Sequence, residues 1–243
     1  CRQEELSRAL LKDLPKDAVR FSEPVLSISQ NANGAHLKTA NGSYNGSFVI
    51  GCDGARSVVR EAMNVIFQGD TYPENTILVT TRFPFEDHFE GLSGVNYIWI
   101  DEGTFSLLRL PDLWRVSLHP RAEETGEQAL QDTSIRAKAK RVLPAAQDLD
   151  ILEKRIYRVH RRVATRYRQG RFFLAGDAAH LNSPKGGMGM NGGIHDAWLL
   201  ADLLIATAQD GTQARLAAYD RIRRPNARDR IVARAHSRRR RVH

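Results

Sequence analysis

Two adjoining segments decide the fold of this chain: Arg171-Phe-Phe-Leu-Ala-Gly-Asp-Ala-Ala-His180 and Leu181-Asn-Ser-Pro-Lys-Gly-Gly-Met-Gly-Met-Asn-Gly-Gly193. The apolar run that starts at Phe172 predicts a short buried strand, with Asp177 just after its end. The second segment predicts a non-periodic loop, and the apolar spacing from Ile194 onward predicts a helix. A strand, a glycine-rich loop and a helix start together favour the binding of a flat or anionic ligand.

An earlier part of the chain repeats this order. Phe48-Val-Ile-Gly51 predicts another buried strand, and Cys52-Asp-Gly-Ala-Arg-Ser57 follows it directly. Ser57 is a candidate N-cap for the helix that comes next. The carboxylate of Asp53 can anchor the loop or bind a polar ligand group, and the guanidinium of Arg56 can attract phosphate.

Both segments resemble motifs of the flavin-dependent aromatic hydroxylases, the family of 4-hydroxybenzoate hydroxylase. The second FAD-binding motif of that family is matched by Gly176, Asp177, Ala178, Ala179, His180, Pro184, Gly187, Gly189 and Asn191, and its Asp-Gly motif by Asp53, Gly54, Arg56 and Ser57. Met188 and Met190 stand where the family most often has glutamine and leucine. The resemblance implies FAD as the cofactor and NAD(P)H as the co-substrate.

The resemblance also implies roles for single residues. Asp177 would accept a hydrogen bond from the ribityl chain of FAD, and residues 187–191 would lie beside the pyrimidine edge of the flavin. Gln3 either contacts the ribityl or phosphate portion or only begins a helix. The residues expected to bind the cofactor are Gln3, Asp53, Gly54, Arg56, Gly176, Asp177, Pro184, Gly187, Met188, Gly189, Met190 and Asn191. For His180 and His195, roles in packing or at a helix end are favoured over proton transfer.

The local patterns predict an α/β fold. Leucine spacing predicts a helix over residues 3–14, the turn Asn31-Ala-Asn-Gly34 belongs to a predicted β-meander over 19–51, and a helix is predicted over 127–143. Runs within 77–118 are rich in β-branched and aromatic residues and predict a mainly antiparallel sheet.

The resemblance extends this to a domain arrangement. It implies a FAD/NAD(P)-binding, Rossmann-like domain formed by residues 1–70 and 157–243, with the antiparallel sheet inserted at 71–156 as the substrate domain. In that family a strand, a Gly-x-Gly-x-x-Gly turn and a helix precede the segment that residues 3–14 resemble. We therefore expect an N-terminally incomplete FAD-binding domain.

The function implied is that of an FAD-dependent monooxygenase, which uses NAD(P)H and O2 to hydroxylate an aromatic or similar small organic substrate. No catalytic acid or base can be named from the sequence. Two alternatives stay open: an FAD-dependent reductase or dehydrogenase on the same fold, and a truncated flavoprotein fragment that is inactive alone. The oligomeric state is also open, with a homo-oligomer as one alternative.

Charge and composition argue against nucleic-acid binding, a membrane span and a metal site. The formal net charge is +8, but residues 221–243 carry ten arginines and one acid, so the rest of the chain is nearly neutral. Because aromatic residues are not interleaved with these arginines, we expect no specific nucleic-acid binding.

No apolar run approaches the ~20 residues of a membrane span and no signal peptide is recognised, which predicts a cytoplasmic protein. Cys1 and Cys52 lack metal-ligand spacing, so no metal site is expected, and Cys52 is predicted to be buried.

Overall fold

The computed structural model describes residues 3–100, 103–184 and 187–242. Its strands are β1 (Val25–Gln30), β2 (Ala35–Thr39), β3 (Ser43–Gly46), β4 (Val49–Gly51), β5 (Phe67–Thr81), β6 (Val95–Ile100), β7 (Gly103–Arg109), β8 (Trp114–Leu118), β9 (Glu153–Ala164), β10 (Arg168–Gln169), β11 (Phe172–Leu174) and β12 (His180–Leu181). Its α-helices are α1 (Gln3–Lys12), α2 (Val58–Ala62), α3 (Gly126–Ala129), α4 (Asp132–Val142), α5 (Met188–Asp210), α6 (Ala217–Asn226) and α7 (Ala233–Val242), and a π-helical segment, Ala227–Val232, joins α6 to α7.

The chain divides into two compact units. The first unit contains residues 3–18 and Tyr72–Val159, and the second contains Val19–Thr71 and His160–Arg241. Strands β5 and β9 each contribute residues to both units. The assignment of residues 71–156 to substrate binding, and of the flanking parts to FAD binding, stays a prediction.

In the second unit, a parallel strand pair carries both predicted loops. Strand β11 runs parallel to β4, with Leu174 opposite Gly51, and β10 pairs on the other side of β11. All three residues of β11 are buried, so the predicted buried strand is confirmed. Because the two strands are parallel and in register, their carboxyl ends lie at the same edge of the sheet. The loops that contain Asp53 and Asp177 therefore begin side by side.

The predicted β-meander is confirmed for β1, β2 and β3, which form a separate antiparallel sheet in that order. In its first turn, the side-chain oxygen of Asn31 accepts hydrogen bonds from the amides of Asn33 (2.8 Å) and Gly34 (3.0 Å). An asparagine that bonds its own turn in this way stabilises a tight reversal of the chain.

Helix α5 corrects the sequence prediction, because it begins at Met188 and not at Ile194. Packing explains why a glycine-rich run is helical despite its low propensity. A Cβ atom at Gly192 would lie 2.8 Å from Cδ1 of Ile231, and one at Gly193 would lie 3.2 Å from Cα of Gly176. Glycine is therefore needed at these positions so that the first turns of the helix can approach their neighbours closely.

In the first unit, the antiparallel sheet predicted within residues 77–118 is confirmed, with the strands in the order β9, β5, β8, β7, β6. One face packs on a buried core that includes Val79, Leu107, Val116 and, from α4, Ile135. The helical stretch predicted over 127–143 is present as two helices, because Gln131 is extended (φ −65°, ψ 139°) and separates α3 from α4. Among the described helices, none combines the length and the apolar character that a bilayer crossing requires.

Candidate functional site

The loop after β4 is fixed by its own side chains. Oδ2 of Asp53 accepts a hydrogen bond from the amide of Val59 at 3.1 Å, and Oγ of Ser57 accepts one from the amide of Arg60 at 2.9 Å. Both acceptors therefore satisfy free amides at the start of α2. The predicted N-cap at Ser57 is confirmed, and Asp53 anchors the loop, one of the two roles left open for it.

The loop after β11 presents its carboxylate differently. Asp177 lies in a short 3₁₀ turn, Gly176–Ala178, and its side chain is exposed. No hydrogen bond joins this carboxylate to another group in the part of the chain that the structure describes. An exposed acceptor without a protein partner, at the end of a buried strand, is available to a ligand.

The loop after β11 is held within the protein by the carboxylate of Asp196 and not by that of Asp177. Its fully buried carboxylate accepts hydrogen bonds from the amide of Gly176 (3.0 Å), from Nε2 of His180 (2.9 Å) and from Nε of Arg223 (2.6 Å). Arg223 also donates to the carbonyl oxygen of Gly192 at 3.1 Å. The network thus ties the turn that contains Asp177 to α5.

His180 is part of that network and is almost completely buried. Because a carboxylate only accepts hydrogen bonds, the contact with Asp196 places the ring proton of His180 on Nε2. Its Nδ1 atom is buried without a partner among the described groups. The favoured packing role for His180 fits this position. His195 is exposed on α5.

A second buried cation links the two loops. The guanidinium of Arg60 donates to the carbonyl oxygens of Ala178 (3.0 Å) and Ala55 (2.7 Å), and it lies 4.0 Å from the ring centroid of Phe67. Desolvation is the largest influence on the pKa of Arg60 and lowers it, while the Asp53 and Glu61 carboxylates act in the opposite direction. Arg60 therefore holds the backbones of both strand-end loops together.

The start of α5 lies open. Gly187 is the N-cap residue with φ +64°, and a Cβ atom built there would have no neighbour within 4 Å in the described structure. A side-chain bond from Nδ2 of Asn191 to the carbonyl oxygen of Gly187 (2.8 Å) and a backbone bond from Gly187 to Pro184 (3.1 Å) shape this end. The first amides of a helix have no intrahelical acceptor and carry a partial positive charge, so this end can bind a negatively charged group.

The other residues singled out in the sequence lie on turns, on the surface or in the first unit. Gly54 has φ +76°, which a turn can adopt readily only with glycine, and Arg56 is exposed. Gln3 begins α1 in the first unit, so the geometry of the second unit does not bear on it. Cys52 is exposed, which corrects the prediction that it is buried. It directly follows the end of β4, where the chain leaves the sheet.

Sequence reasoning missed Asp196, Arg223 and Arg60. A signal for Asp196 was present, since an acid on the apolar pattern of a helix calls for a buried partner. Its partner Arg223 lies 27 residues away. For Arg60 no local signal exists, because its acceptors belong to two loops that are adjacent only in the folded sheet.

The model of the FAD binding domain family matches residues 1–235 of the chain. The chain belongs to this FAD-binding family. It is 33% identical over 219 residues to a 6-hydroxy-3-succinoylpyridine 3-monooxygenase of Pseudomonas putida (strain DSM 28022 / S16), which covers 86% of the chain and 55% of that protein. It is 32% identical over 219 residues to a para-nitrophenol 4-monooxygenase of Pseudomonas sp. (strain WBC-3), with coverage of 84% and 52%. The chain therefore spans about half the length of these curated relatives.

Two solved structures have a similar fold. The crystal structure of a p-nitrophenol 4-monooxygenase from Pseudomonas putida DLL-E4 superposes with a TM-score of 0.86 at 29% identity, covering 97% of this chain and 62% of that one. The ternary complex of aklavinone-11 hydroxylase with FAD and aklavinone gives a TM-score of 0.85 at 27% identity, covering 97% and 47%.

The residues of the second unit fit a flavin. The Asp177 carboxylate is an acceptor of the kind a ribityl hydroxyl group needs, and it has no protein partner among the described residues. Gly187 leaves open space at the start of α5, and at Gly189 the nearest neighbour of an added Cβ atom is the Asn182 side chain at 3.6 Å. A planar, partly anionic ring can therefore approach this backbone closely.

Proposed function

We propose that the whole protein is an FAD-dependent monooxygenase that uses NAD(P)H and O2 to hydroxylate an aromatic or similar small organic substrate. The observation that carries this is the exposed carboxylate of Asp177, which has no partner among the described residues, in a chain of the FAD-binding family. The names of the two relatives support it, since one is a monooxygenase of a substituted pyridine and the other of a nitrophenol.

The protein residues would hold the cofactor and stabilise charge. Asp177 would accept a hydrogen bond from a ribityl hydroxyl group, and the amides of residues 188–190 would stabilise negative charge at the pyrimidine edge of the flavin. Asp196 would keep Gly176 in place through their 3.0 Å hydrogen bond, so that the carboxylate and the helix start hold a fixed separation. Bound FAD supplies the redox chemistry with NAD(P)H and O2.

The loop after β4 would contribute at the edge of the same site. Arg56 is exposed and can attract a phosphate group of FAD or NAD(P)H, while Asp53 and Gly54 shape the turn that presents it. Pro184 would fix the approach to Gly187 through the backbone bond between them. For Gln3 we keep the contact with the ribityl or phosphate portion as part of the proposal.

The open face of the first unit's sheet supports an aromatic substrate. Tyr97, Trp99 and Leu108 lie on the face opposite the buried core and are 37%, 62% and 37% exposed. The ring centroids of Tyr97 and Trp99 are 6.2 Å apart, and Ser106 and Ser117 supply hydroxyl groups on the same face. Aromatic surface with a few polar groups is the usual lining of a small-molecule site.

The flavin site can be tested by titrating the purified chain with FAD and following flavin fluorescence. We expect Asp177→Ala to raise the Kd at least tenfold, because it removes the ribityl acceptor. Asp202→Ala is the matched control, since it removes an exposed acid from a later turn of α5. If the Asp177→Ala variant and the unaltered chain bind FAD with equal affinity, Asp177 does not contribute to flavin binding.

The reaction class needs a second measurement. With NADPH and a trial phenol, a monooxygenase consumes O2 in proportion to hydroxylated product. NADPH oxidation without that product would favour the reductase or dehydrogenase. A chain that binds no FAD at all would favour the inactive fragment.

A further inference from the structure

A separate cavity of about 310 Å³ lies in the second unit. It is bounded by the Gln68–Gly69 part of β5, by the end of β9 and by the helical segment from α6 to α7. Its polar lining consists of Gln68, Thr165, Arg161, Arg162, Arg224 and Arg228. No carboxylate is among its described lining residues, so the lining is strongly cationic.

Three of these arginines have carboxylate partners. Arg161 pairs with Asp70, Arg224 with Asp220 at 3.3 Å, and Arg228 with Asp229 at 2.6 Å. These pairs are partly or largely exposed, so solvent screens them and each contributes little to stability. An anion in the cavity could therefore compete for their guanidinium groups at low cost.

Arg162 differs from the other three. Its Nη2 donates to the hydroxyl oxygen of Thr71 at 3.2 Å, and no carboxylate within the described part of the chain pairs with it. Its Nε atom is buried without an acceptor. A half-buried guanidinium that is held only by a hydroxyl group lacks the counter-charge that such groups usually acquire.

A second observation increases the local positive charge. Burial lowers the pKa of Arg60 most, the Asp53 and Glu61 carboxylates raise it, and the charge of Arg162 lowers it further. Among the described residues, the Arg60 guanidinium donates to the backbone carbonyl oxygens of Ala178 and Ala55. Arg60 therefore adds to the positive charge around Arg162.

The helical wall of the cavity is irregular. Arg228 and Val232 belong to the π-helical segment Ala227–Val232, and both line the cavity. Such segments are rare and frequently occur at functional sites. The wider turn presents the Arg228 guanidinium on the same cavity as Arg162.

We propose that this cavity binds a small molecule through a phosphate or pyrophosphate group, with Arg162 as the principal contact. The guanidinium fork matches two oxygens of such a group, and Arg161 and Arg228 can bind the remaining oxygens. The volume leaves room for a small organic group beyond one phosphate. None of the residues that line this cavity is among those assigned to FAD.

The test is isothermal titration calorimetry of the purified chain with inorganic phosphate, inorganic pyrophosphate and AMP. We expect saturable binding of at least one of them, weakened tenfold or more in Arg162→Met. Tighter binding of AMP than of phosphate would identify a nucleotide ligand, and the reverse would identify a free oxyanion. Arg221→Met, which removes the same charge from an exposed position of α6 outside the cavity, should stay within twofold of the unaltered chain.

Further variants locate the anion. Arg228→Gln changes an exposed side chain and is expected to fold normally, with binding weakened about threefold or more. Circular dichroism checks that Arg162→Met is folded. Absence of saturable binding, or equal weakening in Arg162→Met and Arg221→Met, would overturn the proposal. So would loss of binding in Arg56→Met with Arg162→Met unaffected, because the anion would then lie at the flavin loops.

Discussion

The two strand-end loops of the second unit have the same local order but use their carboxylates in opposite ways. Asp53 accepts a hydrogen bond from the amide of Val59 and so holds its own loop on α2. Asp177 makes no such bond within the described structure, and the buried carboxylate of Asp196 fixes its loop from a different helix. The exposed carboxylate of Asp177 is therefore not needed to hold its own loop, because Asp196 accepts the hydrogen bond from Gly176.

This comparison predicts how substitutions of the three aspartates rank by their effect on stability. The carboxylate that is buried and shared by three donors should matter most for stability, and the carboxylate that is exposed and unpartnered should matter least. For flavin binding we expect Asp177 to be the most sensitive exposed position.

The largest effect is expected for Asp196→Asn. The change leaves Arg223 without its carboxylate in a buried environment and weakens the bonds to Gly176 and His180. We expect the free energy of unfolding to fall by about 3–5 kcal/mol. Urea denaturation followed by tryptophan fluorescence measures it, with Asp202→Asn on the same helix as the control. A loss below about 1 kcal/mol would mean that the network is not what holds the loop.

Next in size is the contrast between two glycines of α5. Gly192→Ala should destabilise by about 1–3 kcal/mol, because its Cβ atom would lie 2.8 Å from Ile231 and 3.0 Å from Cε1 of His180. Gly189→Ala should be neutral or stabilise by up to about 1 kcal/mol, since its nearest neighbour is the Asn182 side chain at 3.6 Å. Thermal unfolding of both variants checks the difference. Equal effects would contradict the close approach at Gly192.

A smaller change is expected for Asp53→Ala. It removes one acceptor at the start of α2 but leaves Ser57 in place, so stability should fall by about 1 kcal/mol. Flavin affinity should change less than in Asp177→Ala. Chemical denaturation and FAD titration on the same preparation measure both. A larger loss of flavin affinity than in Asp177→Ala would reverse the roles of the two acids.

The smallest effect on stability is expected for Asp177→Ala. Its carboxylate is exposed and bonds to no described group, so the free energy of unfolding should change by less than about 0.5 kcal/mol. The tenfold rise in the FAD Kd should occur without unfolding. A stability loss comparable to that of Asp196→Asn would show that Asp177 supports the loop internally.

Local patterns were sufficient for much of the fold. The buried strand that begins at Phe172, the cap at Ser57, the turn at Asn31 and the antiparallel sheet of the first unit were all predicted correctly. These features depend on apolar periodicity and on side chains that bond their own neighbours, and both are visible in a short window of sequence. The motifs around Asp53 and Asp177 also led to the correct family.

Tertiary structure alone decided the rest. Helix α5 begins six residues before the predicted position because Gly192 and Gly193 are needed for contacts with residues distant in the chain, which outweigh propensity. The hydrogen bond between Asp196 and Arg223 joins residues 27 positions apart, so it forms only after folding. Sequence determined which residue types stand at the two strand ends. The long-range packing determined that Asp196 is buried among hydrogen-bond donors while Asp177 is exposed, because a buried charge must find its partner wherever the fold brings one within hydrogen-bond distance.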